Sequence, residues 1–189
     1  MATRKNVDLE RVLQTAITLA DESGLEAVTL KTVAERLGIQ IPSLYNHISG
    51  LPGLRYEMNL WGVRQLTDMM RRAAVGKSGD NAIISIAHAY RSFALQHPGV
   101  YPLTPRAPTA DQPELIAAAA ELLDIVLAVL EPYGFSEEDK LHAVRALRSV
   151  MHGFVGLEAA GGFGMNLDRE ESFRRLLQWF IVGLHNPPA

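Results

Sequence analysis

Within the stretch from Gln40 to His47, five side chains can exchange hydrogen bonds: Gln40, Ser43, Tyr45, Asn46 and His47. The amides of Gln40 and Asn46 offer a donor and an acceptor side by side, the pattern that matches N6 and N7 of adenine, and Ile41 and Pro42 are apolar tips suited to a thymine methyl. Tyr45 and His47 have the reach to hydrogen-bond a phosphate oxygen. The alternative for these two is that they only pack against or solvate a helix end. Other chemistry is poorly served. The chain has no cysteine and six histidines, but His88 and His97 stand nine residues apart, His142 and His152 ten, and no His-Glu-x-x-His or carboxylate at i+3 or i+4 completes a zinc set. There is no Gly-x-Ser-x-Gly elbow, and Gly161-Gly162-Phe163-Gly164 follows a helical pattern instead of a strand, so it reads as a hinge or helix stop. The acidic runs Glu137-Glu138-Asp139 and Asp168 to Glu171 fall at helix starts, where the helix dipole accounts for them. Neither a catalytic residue, a metal nor a cofactor is expected.

The elements needed to present Gln40 to His47 are legible on both sides. Thr29 is an N-cap; Val33, Ala34 and Leu37 share one apolar face; Gly38 stands where a left-handed residue ends a helix. After the turn Gly38-Ile39-Gln40, Pro42 fits the first turn of a second helix, and Leu44 and Ile48, at i and i+4, point inward together. Two short helices around a tight Gly-containing turn form a helix-turn-helix, whose second helix enters a DNA major groove with its N-terminal end first. Upstream, Leu9, Val12, Leu13, Ala16, Ile17 and Ala20 form a helical stripe between the cap Asp8 and the stop Gly24. Gly50, Pro52 and Gly53 read as the exit from this head.

The remainder is helical throughout. Expected helices run over Leu54 to Ala74, Asn81 to His97, Glu114 to Tyr133, from the cap Ser136 to Ala160, and from the cap Asp168 to the Asn186-Pro187-Pro188 stop. The Pro-rich stretch Tyr101 to Pro113 is read as a loop, either a mobile lid or a plain connector. No strand and no internal repeat is found, so the fold class is all-α: a three-helix head over 1–53 and a helical-bundle body over 54–189. No signal sequence is read at the N-terminus, and no stretch reaches the ~20 apolar residues of a membrane span; a cytoplasmic address is expected. With 189 residues the chain can bury a substantial core, and its net charge is −3. Residues 1–56 carry six cations and six anions, so DNA binding would rest on convergent cations and base contacts more than on bulk charge.

Thr29, Val33-Ala34-Glu35, Leu37-Gly38-Ile39 and Leu44-Tyr45-Asn46-His47-Ile48 together resemble the TetR family of bacterial transcriptional regulators, over about residues 8 to 60. The resemblance implies operator-DNA contacts by Thr29, Lys31, Gln40, Ile41, Pro42, Ser43, Tyr45, Asn46 and His47, with Arg4 and Lys5 as a basic arm. One departure stands out: where the family follows the recognition helix with an aromatic residue, two small or polar residues and a phosphate-binding Lys, this chain has Ile48-Ser49-Gly50-Leu51. The body, through Phe93 to Tyr101 and Met151 to Glu158, resembles a subgroup with a Trp-His-Gly motif whose Trp is missing here. The family implies a repressor released from its operator by a small-molecule effector, bound between body helices. Met58, Trp61, His88, Tyr90, Phe93, Tyr101, Met151, His152 and Phe154 are candidate pocket residues, although helical spacing alone makes most of them core. The family also implies a homodimer, because two heads must meet a palindrome one helical turn apart. Its candidate interface comprises Gly153, Gly156, Ala160, Phe173, Leu177, Phe180 and Leu184. The competing reading is a helical small-molecule-binding protein or enzyme with a vestigial head.

Overall fold

The computed structural model describes residues 7–186, and every regular element among them is helical. Helix α1 (Leu9–Ser23) starts where Asp8 accepts a hydrogen bond from the Arg11 amide at 2.9 Å. Helix α2 (Leu30–Leu37) opens on a reciprocal cap: the Thr32 amide donates to Thr29 Oγ1 at 3.1 Å, and the Thr29 amide donates to Thr32 Oγ1 at 3.0 Å. Gly38 ends it at φ 69°, ψ 36°, a left-handed conformation that glycine adopts without a Cβ penalty.

Helix α3 (Ile41–Leu44) is one turn, with Pro42 in it. The expected helix to Ile48 instead loosens into a turn over 45–47, in which His47 and Ile48 both donate their amides to the Leu44 carbonyl, at 2.9 and 3.0 Å. So short a helix is not stable by itself; burial of Leu44 and Ile48 holds it. Helix α4 (Gly50–Ala74) begins earlier than expected and takes in Gly50, Pro52 and Gly53. Pro52 lies in the first turn, where its missing N–H has no intrahelical partner to lose. The body helices are α5 (Gly79–Gln96), α6 (Pro113–Leu130), α7 (Glu137–Ala159), capped by Ser136, and α8 (Arg169–His185), capped by Asp168. Single 3-10 turns occupy Leu25–Ala27, Tyr101–Leu103 and Glu131–Tyr133.

Two compact units result. One comprises the residues up to Val63 together with Gln96–Leu115; the other comprises Arg64–Leu95 and the residues from Ile116 onward. In the first unit, α1 contributes Val12, Ala16, Ile17 and Ala20 to a core shared with Val33 and Ala34 of α2, Leu44 of α3, and Leu54 and Met58 of α4. Val100 belongs to the same core and Leu103 packs against it. The beginning of the Pro-rich stretch is therefore a structural part of the first unit. Gly99 shows why the turn His97-Pro98-Gly99 fits there: a Cβ at this position would stand 2.0 Å from the Ala20 carbonyl oxygen. Only a glycine lets the turn come this close to the end of α1. The Gly99 amide donates to Asp21 Oδ1 at 3.0 Å, His97 Nδ1 lies 2.8 Å from Asp21 Oδ2, and Trp61 meets the His97 ring edge-on at 5.0 Å.

The second unit buries Leu66, Met70, Ile83, Ile86, Phe93, Leu130, Leu147 and Phe173. No helix among the described residues is long and apolar enough to cross a membrane, and no group of three or more His, Asp or Glu among them could hold a metal ion.

Candidate nucleic-acid interface

The turn of α3 sorts its residues by face. Leu44 is fully buried and Ile48 nearly so, while Gln40, Ile41, Pro42, Ser43, Tyr45 and Asn46 are exposed and His47 is half-buried. Gln40 is the extended N-cap of α3, Ser43 lies within it and Asn46 in the turn that follows, and all three are exposed. Tyr45 keeps 60% of its surface in solvent, more than a packing residue would, so its hydroxyl is available to a partner. Thr29 is engaged in the cap of α2, with its hydroxyl accepting from Thr32. Lys31, one turn from Glu35, is exposed on the same helix. Arg4 and Lys5 lie outside the described residues.

The cations around this surface are not free. Arg36 pairs with Glu22 at 3.0 Å, Arg55 with Glu26 at 3.6 Å, and Lys31 approaches Glu35 at 3.9 Å. Exposed pairs of this kind contribute at most about 1 kcal/mol each to stability. They matter more by compensating positive charge, which agrees with the balanced charge count of the head.

The pocket candidates do not form one group. Met58, Trp61 and Tyr101 belong to the first unit, where Met58 is part of the core. His88, Tyr90, Phe93, Met151, His152 and Phe154 belong to the second. His152 is exposed on α7, so it does not line an enclosed pocket of this unit; α7 turns Met151 and Phe154 inward and His152 outward, as their spacing on a helix requires.

Phe154 instead belongs to a charged cluster. Arg91, a mostly buried side chain of α5, donates two parallel hydrogen bonds to Glu158 of α7, both at 2.8 Å, and a third to Glu170 in the first turn of α8. Its guanidinium carbon lies 5.6 Å from the Phe154 ring centroid and 5.1 Å from that of Phe173. His88, one turn earlier on α5, is 3.4 Å from Glu170 and meets Phe173 edge-on. The Arg91 hydrogen bonds hold the Glu158 carboxyl below the usual range against the opposing effect of burial, and the Glu158 bonds in turn raise Arg91. Nothing in the sequence pairs residues so far apart, and no local pattern signals this cluster.

The interface candidates divide as well. Gly153, Gly156 and Ala160 are exposed and Phe180 is half-buried. Phe173, Leu177 and Leu184 are buried inside the protomer, Leu177 to 1%, so they cannot offer a surface to a partner; the apolar surplus of α8 is spent mostly on its own chain. Apolar side chains that do face outward include Leu157 of α7 and Trp179 and Val182 of α8, Trp179 with 69% of its surface exposed. Trp179 and Phe180 line an open groove of about 950 Å³ with Ala143, Ala146, Tyr133, Phe135 and Gly183. At one end of the groove Tyr133 donates to Asp80 at 2.5 Å, and His185 lies 2.9 Å from the same carboxylate. The Tyr133 bond, followed by His185, lowers Asp80, while burial and Asp80 raise Tyr133.

Comparison with known proteins agrees with this arrangement. Residues 83–180 match the family described as tetracyclin repressor-like, C-terminal domain. The chain is 37% identical over 176 residues to an uncharacterized HTH-type transcriptional regulator of Mycobacterium tuberculosis, covering 93% of this chain and 80% of that one. It is 33% identical over 184 residues to YobS, an uncharacterized HTH-type transcriptional regulator of Bacillus subtilis, covering 97% and 96%. Among solved structures, a possible TetR family transcriptional regulator from Streptomyces coelicolor shares the fold, with a TM-score of 0.74 at 22% identity over 96% of this chain and all of that one. With a helix-turn-helix that presents a polar face, a repressor-like helical body and relatives matched along nearly the whole length, the chain belongs to the TetR family of DNA-binding transcriptional regulators.

Proposed function

We propose that this regulator is a repressor that grips double-stranded operator DNA as a homodimer, through the surface formed by Gln40 to His47, and lets go when a small, largely apolar molecule binds its body. The observation that carries the reading is the two-faced turn of α3, with Leu44 and Ile48 locked into the core while Gln40, Ser43, Tyr45 and Asn46 face solvent. The repressor-like character of the matched body domain supports the direction of regulation. On this reading the protein works in the cytoplasm, where the DNA is, and catalyses nothing. The test is selection of bound duplexes from a random pool by the full-length protein, repeated with Tyr45→Phe and Asn46→Ala. Loss of the Tyr45 hydroxyl should weaken binding to every duplex alike, whereas Asn46→Ala should cost about 1–3 kcal/mol at particular base pairs. No enrichment with the unaltered protein would defeat the proposal.

Dimerisation through the outer faces of α7 and α8 is part of the same reading. Gly153 and Gly156 have no atom within 4 Å of where a Cβ would stand, so that face is open to close approach, and Leu157, Trp179 and Val182 supply apolar surface beside it. For the effector, buried Tyr90, Phe93 and Met151 in the second unit are the candidate lining. Differential binding to two states, with a coupling of about 1–3 kcal/mol, would lower operator affinity roughly 5- to 150-fold.

A further inference from the structure

We infer that the operator half-site read by α3 is built of A·T pairs, with no guanine contact at its centre. The inference rests on the DNA-reading role proposed for Gln40 to His47, and it follows from which side chains are present on that surface and which are not.

Guanine is read most often by a Lys or Arg bidentate to O6 and N7, and cytosine by a carboxylate that accepts from N4. Between Leu37 and Leu54 the chain contains neither a cation nor a carboxylate. The nearest cations on the flanking helices among the described residues, Lys31, Arg36 and Arg55, face Glu35, Glu22 and Glu26. None of the three stands on α3 or in the turn that follows it. What the surface does offer is two exposed primary amides, Gln40 and Asn46, an exposed Ser43 hydroxyl, and the exposed Ile41 and Pro42 at the start of α3. An amide pairs with adenine N6 and N7, and an apolar tip gains by covering a thymine methyl. With bulk charge balanced, these few contacts carry the discrimination.

The experiment starts from the duplexes that the full-length protein enriches. Gln40→Ala and Asn46→Ala, both at exposed positions, identify the base pairs each residue reads, and circular dichroism checks that each variant stays folded. At those pairs the enriched sequence should be A·T, and replacement by G·C should lower affinity roughly 5- to 150-fold. Replacing thymine by uracil removes only the methyl group; it should weaken binding by the unaltered protein and have a smaller effect on Ile41→Ala. Gln40→Arg should move the preference at its pair towards guanine. Enrichment of duplexes with G·C at the pairs assigned to Gln40 and Asn46 would overturn the inference and leave the DNA-reading role intact. Failure to enrich any duplex would overturn the role itself and the inference with it.

Discussion

Arg91 illustrates how much of the body depends on one buried charge. Its guanidinium is satisfied by Glu158 and Glu170 and lies near Phe154 and Phe173, so neutralising Glu158 removes its bidentate partner and leaves Glu170 as its remaining carboxylate. Glu158→Gln should therefore destabilise the protein by about 1.5–3 kcal/mol, measured as the shift in the urea unfolding curve at neutral pH. The pH dependence has a fixed sign. Glu158 titrates below its ordinary 4.5 in the folded protein, so its contribution is fully present above pH 4.5 and is lost as the pH falls through the lower folded value. The stability gap between the unaltered protein and Glu158→Gln should accordingly shrink as the pH is lowered below 4.5; a gap that widened would contradict the pairing. At this scale the sequence is legible where neighbours decide the matter. Leu44, Ile48, Met151 and Phe154 are inward because helix spacing makes them so. Arg91, Glu158 and Glu170 meet only after three helices have packed, and Leu177 was indistinguishable from an outward residue until its own protomer had covered it.

Among the elements, α2 packs against α3, and the turn after α5 packs against the end of α1. The Thr29 and Thr32 cap fixes where α2 begins, and Thr29→Ala should cost about 1 kcal/mol, seen as a lower melting temperature. The turn His97-Pro98-Gly99 leaves no space for a side chain against Ala20. Gly99→Ala should destabilise by about 1–3 kcal/mol as α1 and the turn are forced apart, while Ala at Gly153, which meets nothing, should be tolerated by the isolated protomer. Equal melting temperatures for Gly99→Ala and Gly153→Ala would show that the close approach is absent. Caps and stops such as Asp8, Thr29, Gly38, Ser136 and Asp168 could be read in advance because they act over a single turn. The Gly50 start of α4 could not, since glycine and proline mark a helix's first turn as readily as a break. The role of Gly99 was likewise hidden, because its partner Ala20 is distant in sequence.

For the whole molecule, the all-helical fold and the helix-turn-helix were legible because periodicity and turn chemistry agreed along the chain, whereas the packing of Gln96–Leu115 was not. The chain returns Gln96–Leu115 to the head, a long-range packing choice that no local pattern encodes. Dimerisation belongs at this scale too. Trp179→Glu puts a charge on an outward side chain and should give a folded monomer by sedimentation, with weaker operator binding; a persistent dimer would move the interface elsewhere. The central claim, that the solvent face of α3 reads DNA, is tested most directly by a hydroxyl-radical footprint of the protein on an enriched duplex. It should show two protected half-sites about one helical turn apart, both lost on substitution of Tyr45 and Asn46 by alanine without loss of helical structure. An unchanged footprint with that doubly substituted protein would contradict it.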